Sequence, residues 1–137
     1  MNADWMRTIT SAEPRGDGRV AVLWSDGTTA EVALPPAMAT AAGAPAIGDW
    51  GHSLVWPDGG EISADALWLA TLSAIGRADS RSFLEWRMAH ELSLSRAALE
   101  LGISRRTVAN YSNGSHPVPK AILLACKGWS AQQAEAA

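Results

Sequence analysis

Two neighbouring arginines, Arg105 and Arg106, follow a serine in the stretch GISRRTVANYSNG, residues 102–114. Ser104 reads as a helix N-cap, so the two guanidiniums take the first two helical positions. That end of a helix carries a partial positive charge, and a cation there is disfavoured by ~0.3–1 kcal/mol. An anion would reverse the sign. The free N–H groups attract phosphate, and guanidiniums can clasp it or fork onto guanine O6 and N7. Val108 and Tyr111 share a face with Thr107 and turn inward, which leaves Arg105 with Ala109, and Arg106 with Asn110, as two outward rows. Ala109 lets the helix sit deep in a groove, and Asn110 offers an amide suited to adenine. An ordinary helical hairpin accounts for Gly102, Ile103, Ser104, Val108 and Gly114, but not for that outward face.

No other set of residues assembles a chemistry. His52, His90 and His116 are scattered, with no HExxH, no Cys-His spacing and no Gly-rich phosphate loop. No catalytic residue, metal site or cofactor is therefore expected, and the chain reads as a non-enzyme. Cys126 is the only cysteine, which excludes an internal disulfide framework; within AILLACKGW it reads as a small buried hydrophobe. The net charge of -3 hides an asymmetry. Residues 1–75 carry nine acids and three arginines, for -6, whereas residues 76–137 carry five acids and eight bases, for +3. An acidic module joined to a basic one that faces phosphates fits this division. The apolar runs at 64–75 and 121–126 are shorter than the ~20 residues of a membrane span, and no charged-then-apolar leader opens the chain, so a cytoplasmic protein with no membrane partner is expected.

Elements must position those residues. RVAVLW (19–24), SDGT and TAEVAL (29–34) read as a hairpin, because period-two alternation flanks an Asp-Gly turn. MRTIT (6–10) is a plausible partner strand, and EPRGDG (13–18) a turn-rich connection. Residues 35–48, rich in Ala, Pro and Gly, can hold one helical turn but not a central strand. A second hairpin runs through HSLVW (52–56), PDGG and EI, then a helix over 63–76 with Ser63 as N-cap, Asp65 in its first turn, and Leu67, Leu69, Leu72 and Ile75 as apolar surface. Five of the seven tryptophans, Trp5, Trp24, Trp50, Trp56 and Trp68, lie in this half. A stripe of indoles could stack a ligand or bases, yet a small sheet with few other large apolar groups needs them inside, so core packing is expected.

GRADSRS (76–82) contains no large apolar residue and reads as a linker. Beyond it the period changes to about 3.6. One helix starts at the capping box SFLE (82–85) and carries Phe83, Leu84, Trp86 and Met88. Others span 93–101, 104–112 and 119–127, the last with Pro119 at its first position, Lys127 near its end and Gly128 as its stop. The tail SAQQAEAA (130–137) is expected to fray. The fold class is α+β: a small antiparallel hairpin sheet with a helix over 1–75, a linker over 76–82, an all-α bundle of four to five helices over 83–129, and a tail.

With AALELGISRRTVANYSNG and PVPKAILLACKGW in view, residues 81–129 resemble the helix-turn-helix domains of the lambda-repressor type. The resemblance implies that the helix 104–112 lies in the major groove, with Arg105 and Arg106 at base edges and Asn110 a turn later. It also implies backbone contacts from Ser104, Thr107 and Lys120, and a phosphate held by Asn113, Gly114 and Ser115. Trp86 and Arg87 match the usual apolar-arginine pair of the first helix. Many members pair that arginine with an acid where this chain has Ser112, so Arg87 is expected to be free for phosphate. Many also place a polar residue where this chain has Leu94, which shifts that backbone contact to Ser95 or Arg96. Residues of about 5–70, through WSDGT, LVWPDG and DALW, resemble a small uncharacterised bacterial module found upstream of such domains, which implies an α+β fold without a chemistry.

Two functional expectations follow. The first is a sequence-specific DNA-binding regulator, a repressor that binds double-stranded DNA as a homodimer, while residues 1–75 dimerise, bind a partner or sense a ligand. The alternative is an antitoxin-like module in which acidic residues 1–75 neutralise a basic protein partner and the helices serve autoregulation.

Overall fold

A computed structural model of the chain describes residues 7–39 and 43–136. The fold is α+β, and the chain divides into two compact units, Met1–Gly76 and Arg77–Ala137. Trp5 lies outside the described residues.

In the first unit, β1 (Ile9–Arg15), β2 (Arg19–Trp24) and β3 (Thr29–Ala33) form an antiparallel meander. The β2–β3 hairpin closes as the sequence implies: Gly27 donates its N–H to the Trp24 carbonyl at 2.9 Å, and Asp26 Oδ1 accepts from the Thr28 N–H at 3.0 Å. Alternation sends Val20, Val22, Trp24 and Val32 to one buried face. The strand β1 runs through Glu13-Pro14-Arg15, where the composition of 13–18 predicts a turn-rich connection. An edge strand tolerates Pro14 because one side of it needs no ladder donor.

A short helix α1 (Pro36–Ala39) is followed by a second antiparallel sheet of β4 (Ala46–Gly48), β5 (Ser53–Val55) and β6 (Glu61–Ser63). Helix α2 (Ala64–Ala74) is capped by Ser63, whose Oγ accepts the Ala66 N–H at 3.1 Å. Its buried stripe is Ala64, Leu67, Trp68, Thr71 and Leu72, so Leu69 is only half-buried and Ile75 is exposed. The Trp24 indole donates to Thr71 Oγ1 at 3.0 Å and meets the Trp68 ring edge-on at 5.0 Å. Trp24, Trp56 and Trp68 are core residues, as expected. Trp50 is not: it is 95% exposed.

The second unit holds α3 (Ala78–Ala89), α4 (Leu94–Leu101), α5 (Arg105–Ser112) and α6 (Lys120–Ala136). Several sequence expectations give way. Helix α3 begins inside the supposed linker 76–82, because Ser80 is fully buried and Asp79 complements the helix N-terminus while its Oδ2 accepts the Val118 N–H at 2.7 Å. The SFLE box is not used, and Glu85 instead faces Arg81 at 3.5 Å. Helix α6 starts after Pro119, whose carbonyl accepts the Ile122 and Leu123 N–H groups. It then passes through Gly128 to Ala136, so the expected stop and frayed tail are helical. The reason is packing on α3. Trp129 lies edge-on to Trp86 at 5.6 Å and to His90 at 4.9 Å, and the Ser130 hydroxyl is 2.9 Å from His90 Nε2.

Candidate nucleic-acid interface

Helices α4 and α5 are each set by a serine cap. Ser93 Oγ accepts the Arg96 N–H at 3.0 Å, and Ser104 Oγ accepts the Thr107 N–H at 3.0 Å. Between them Gly102 takes the left-handed conformation at φ 69, ψ 32, which stops α4, and Ile103 donates back to the Ala98 carbonyl at 3.1 Å. Leu94 and Ala97 are buried, and the burial of Leu94 explains why an apolar residue follows the Ser93 cap.

The inward face of α5 is Val108 and Ser112, both fully buried, with the Tyr111 ring edge-on to Phe83 at 5.4 Å. Arg105 and Arg106 are exposed at the first two helical positions, and Ala109 and Asn110 are half-buried one turn later. The first turn of α5 contains no acid. Along the sequence the charge is one-sided: between Glu100 and Glu135 the chain has no Asp or Glu and four bases, Arg105, Arg106, Lys120 and Lys127. That acid-free span was open to sequence reading and adds to the argument from the arginine pair.

The other candidates are less uniformly placed. Ser95 is exposed on α4, and Lys120 is exposed at the start of α6. Arg96 is exposed but faces Glu100 at 3.2 Å, and Glu100 also accepts the Trp129 indole N–H at 2.7 Å. Thr107 Oγ1 lies 2.7 Å from Ser104 Oγ, so both hydroxyls belong first to the cap. Past α5, Gly114 makes a left-handed turn, and Asn113 Oδ1 accepts both the N–H of Ser115, at 2.8 Å, and its hydroxyl. Both Ser115 donors are therefore committed within the loop.

Arg87 departs from expectation most clearly. It is 3% exposed, and donates Nη1 to Ser112 Oγ at 2.8 Å and Nη2 to the Leu92 carbonyl at 3.0 Å. It is inside the bundle and unavailable to a phosphate. A serine hydroxyl accepts from a guanidinium as a carboxylate does, which is why the missing acid did not release the arginine.

No protein-family model and no curated protein matches the chain. Among solved structures, the chain is similar to a protein of Nitrosomonas europaea ATCC 19718, known from a crystal structure and named putative DNA binding protein. The TM-score is 0.64 at 29% identity, over 97% of this chain and 92% of that one, so the likeness takes in both units.

Proposed function

We propose that the chain is a sequence-specific DNA-binding transcriptional regulator, a repressor of the lambda-repressor helix-turn-helix type, which inserts α5 into the major groove as a homodimer. The observation that carries this reading is the pair Arg105 and Arg106, exposed at the N-terminus of a capped helix with no acid in its first turn. Their placement opposes the helix dipole in the isolated protein and suits a polyanion. The named role of the Nitrosomonas europaea protein supports it. In this reading Arg105 and Arg106 meet base edges and Asn110 follows them. Backbone contacts come from the Asn113 side-chain amide, Gly114, Lys120, Ser95 and the α5 cap. Fluorescence anisotropy with DNA from upstream of the gene tests this. Affinity should fall steeply with salt, and Arg105→Ala should cost ~1–3 kcal/mol on the specific site while changing little on random DNA. Binding that ignores salt and both arginines overturns it.

Trp50 favours a second role for the first unit. It is 95% exposed with φ 56, ψ 32, follows Asp49, also left-handed at φ 48, and stands near the exposed Ile47. Bulky residues hold that conformation at a cost, and an exposed tryptophan is a common anchor at protein interfaces. With the -6 charge of residues 1–75, this surface fits a basic protein partner, as in an antitoxin. Stoichiometric co-purification of a basic protein that Trp50→Ala abolishes is the expected result; retention by the variant counts against it.

A further inference from the structure

Helix α6 has two unlike faces. On one, Cys126 is buried and Leu123, Trp129 and Ser130 are half-buried, with Trp129 and Ser130 meeting Trp86 and His90 of α3. The other face is Ala121, Leu124, Ala125, Gly128, Ala131 and Glu135, at i, i+3, i+4, i+7, i+10 and i+14. Every one of these residues is exposed, Leu124 by 55%. From Ala121 to Ala131 this outward stripe carries no polar side chain, the reverse of what a solvated helix face shows.

Gly128 stands at the middle of the stripe. Glycine weakens a helix relative to alanine, and an added Cβ at 128 would meet no atom within 4 Å, so nothing inside the protomer calls for its absence. A glycine among alanines does let a second helix come closer than larger side chains allow. Charge along the face has a direction: Lys120 lies at one end and Glu135 at the other, and neither enters an ion pair among the described residues. Counted outward from Gly128, Ala121 and Glu135 are equally distant, with Lys120 one position beyond Ala121. An antiparallel copy of the same helix that crosses at Gly128 therefore brings Lys120 of each copy beside Glu135 of the other, twice by symmetry. A parallel copy would set like charges together.

We propose that the outward face of α6 is a homodimer interface, in which two α6 helices pack antiparallel across a two-fold axis at Gly128. The proposal rests on the homodimer in the reading above and names the surface that makes it. Burial of Leu124 in both copies supplies the apolar part of the contact, and the paired ends fix its register. The Lys120 ammonium has three donors, so a bond to Glu135 of the second copy leaves others for a phosphate. One helix pair falls at the small end of interface sizes, so the dimer should be weak, with a Kd of about micromolar or above.

Sedimentation equilibrium of the full-length protein without DNA, from low micromolar to sub-millimolar concentration, tests this, and a reversible monomer–dimer equilibrium is expected. Gly128→Leu should abolish the dimer while the melting temperature of the dilute monomer stays the same or rises, because the position is open and leucine favours a helix. Lys120→Glu and Glu135→Lys should each weaken the dimer roughly tenfold, and the double variant should restore it. Should Gly128→Leu not fold, the charge exchange decides alone. A protein that stays monomeric throughout overturns the proposal, as does a dimer that Gly128→Leu leaves intact, or a double variant no tighter than the single ones. None of these measurements contains DNA, so their failure leaves the Arg105 test of DNA binding standing, and failure of that test leaves the dimer standing.

Discussion

Nη1 of Arg87 donates to Oγ of Ser112 across 2.8 Å, and this bond fastens the first helix of the bundle to the last turn of α5. The hydroxyl hands its own proton to the Val108 carbonyl at 2.8 Å, so it both accepts and donates. Nη2 meanwhile holds the Leu92 carbonyl at 3.0 Å, just ahead of the Ser93 cap. One buried guanidinium thus fixes α3, the turn before α4, and the C-terminal end of the helix whose N-terminus carries Arg105 and Arg106.

Removing this clamp should destabilise the bundle more than removing its acceptor. Arg87→Met leaves two buried acceptors short of a charged donor and should cost ~2–3 kcal/mol, whereas Ser112→Ala should cost ~1 kcal/mol. Urea unfolding followed by far-ultraviolet circular dichroism reads both. Equal losses would mean that the Leu92 bond contributes nothing.

The clamp also shows where sequence reading reached its limit. Gly102, Ser104, Val108 and the exposed arginines were legible because each obeys or breaks a local rule of helix termini. The role of Arg87 was not, because whether Ser112 lies within its reach depends on how α3 and α5 pack, and no spacing in the chain encodes that. The ends of the bundle were missed for the same reason. Gly128 and the polar 76–82 segment look like stops by composition, yet Trp129 on His90, and Ser80 in the core, extend both helices through them. In the first unit, alternation found the β2–β3 hairpin and the core indoles but could not distinguish Trp50, whose exposure follows from backbone dihedrals rather than residue type.

A trade between stability and binding should be visible at Arg106. In the absence of DNA, Arg106→Glu replaces a cation at a helix N-terminus with an anion and should stabilise the protein by ~0.3–1 kcal/mol at low salt. The same change should abolish salt-dependent DNA binding. Thermal melts and anisotropy on one preparation test both halves of the prediction, and a variant that loses stability would contradict the dipole argument.

The buried bond from the Trp24 indole to Thr71 Oγ1 organises the core of the first unit, and the same hydroxyl donates to the Leu67 carbonyl at 2.9 Å. Thr71→Val keeps the shape and strands the indole N–H, so a loss of ~1–3 kcal/mol is expected, with Thr71→Ser restoring most of it. Near-ultraviolet circular dichroism of the tryptophan band during unfolding separates the two variants.

Acid should weaken both units. Partial burial opposes ionisation of Asp26 and Asp79. For Asp26, hydrogen bonds from Arg7 and Thr28 outweigh that effect; for Asp79, the N–H groups of Val118 and Ser80, with Arg77, do the same, so both pKa values lie below 3.8. A carboxyl depressed in the folded state contributes stability that is complete well above pH 3.8 and fades as pH falls through its folded value. Asp65 runs the other way: burial raises its pKa against the pull of His52, so its charge costs stability at neutral pH. Stability measured from pH 7 to pH 3 should therefore fall less steeply in Asp79→Asn, and Asp65→Asn should gain stability at pH 7.

Two glycines with positive φ should respond differently to the same substitution. Gly102, at φ 69, has open space where a Cβ would stand, so Gly102→Ala meets only the backbone penalty of the left-handed region, ~1–2 kcal/mol. Gly51, at φ 93, would place its Cβ 2.8 Å from Thr8 Cβ and 3.2 Å from the Ile9 carbonyl oxygen. Neither neighbour can swing away, because Ile9 is held in β1 and Thr8 accepts the Ser25 N–H through its carbonyl at 2.8 Å. Gly51→Ala therefore adds a steric clash to the conformational strain and should be the more destabilising by well over ~1 kcal/mol. It should also displace the adjacent Trp50, so its exposed indole fluorescence should change in Gly51→Ala and stay constant in Gly102→Ala. Equal melting temperatures for the two variants would show that the chain around Thr8 yields, and that the Trp50 turn is not pinned against β1.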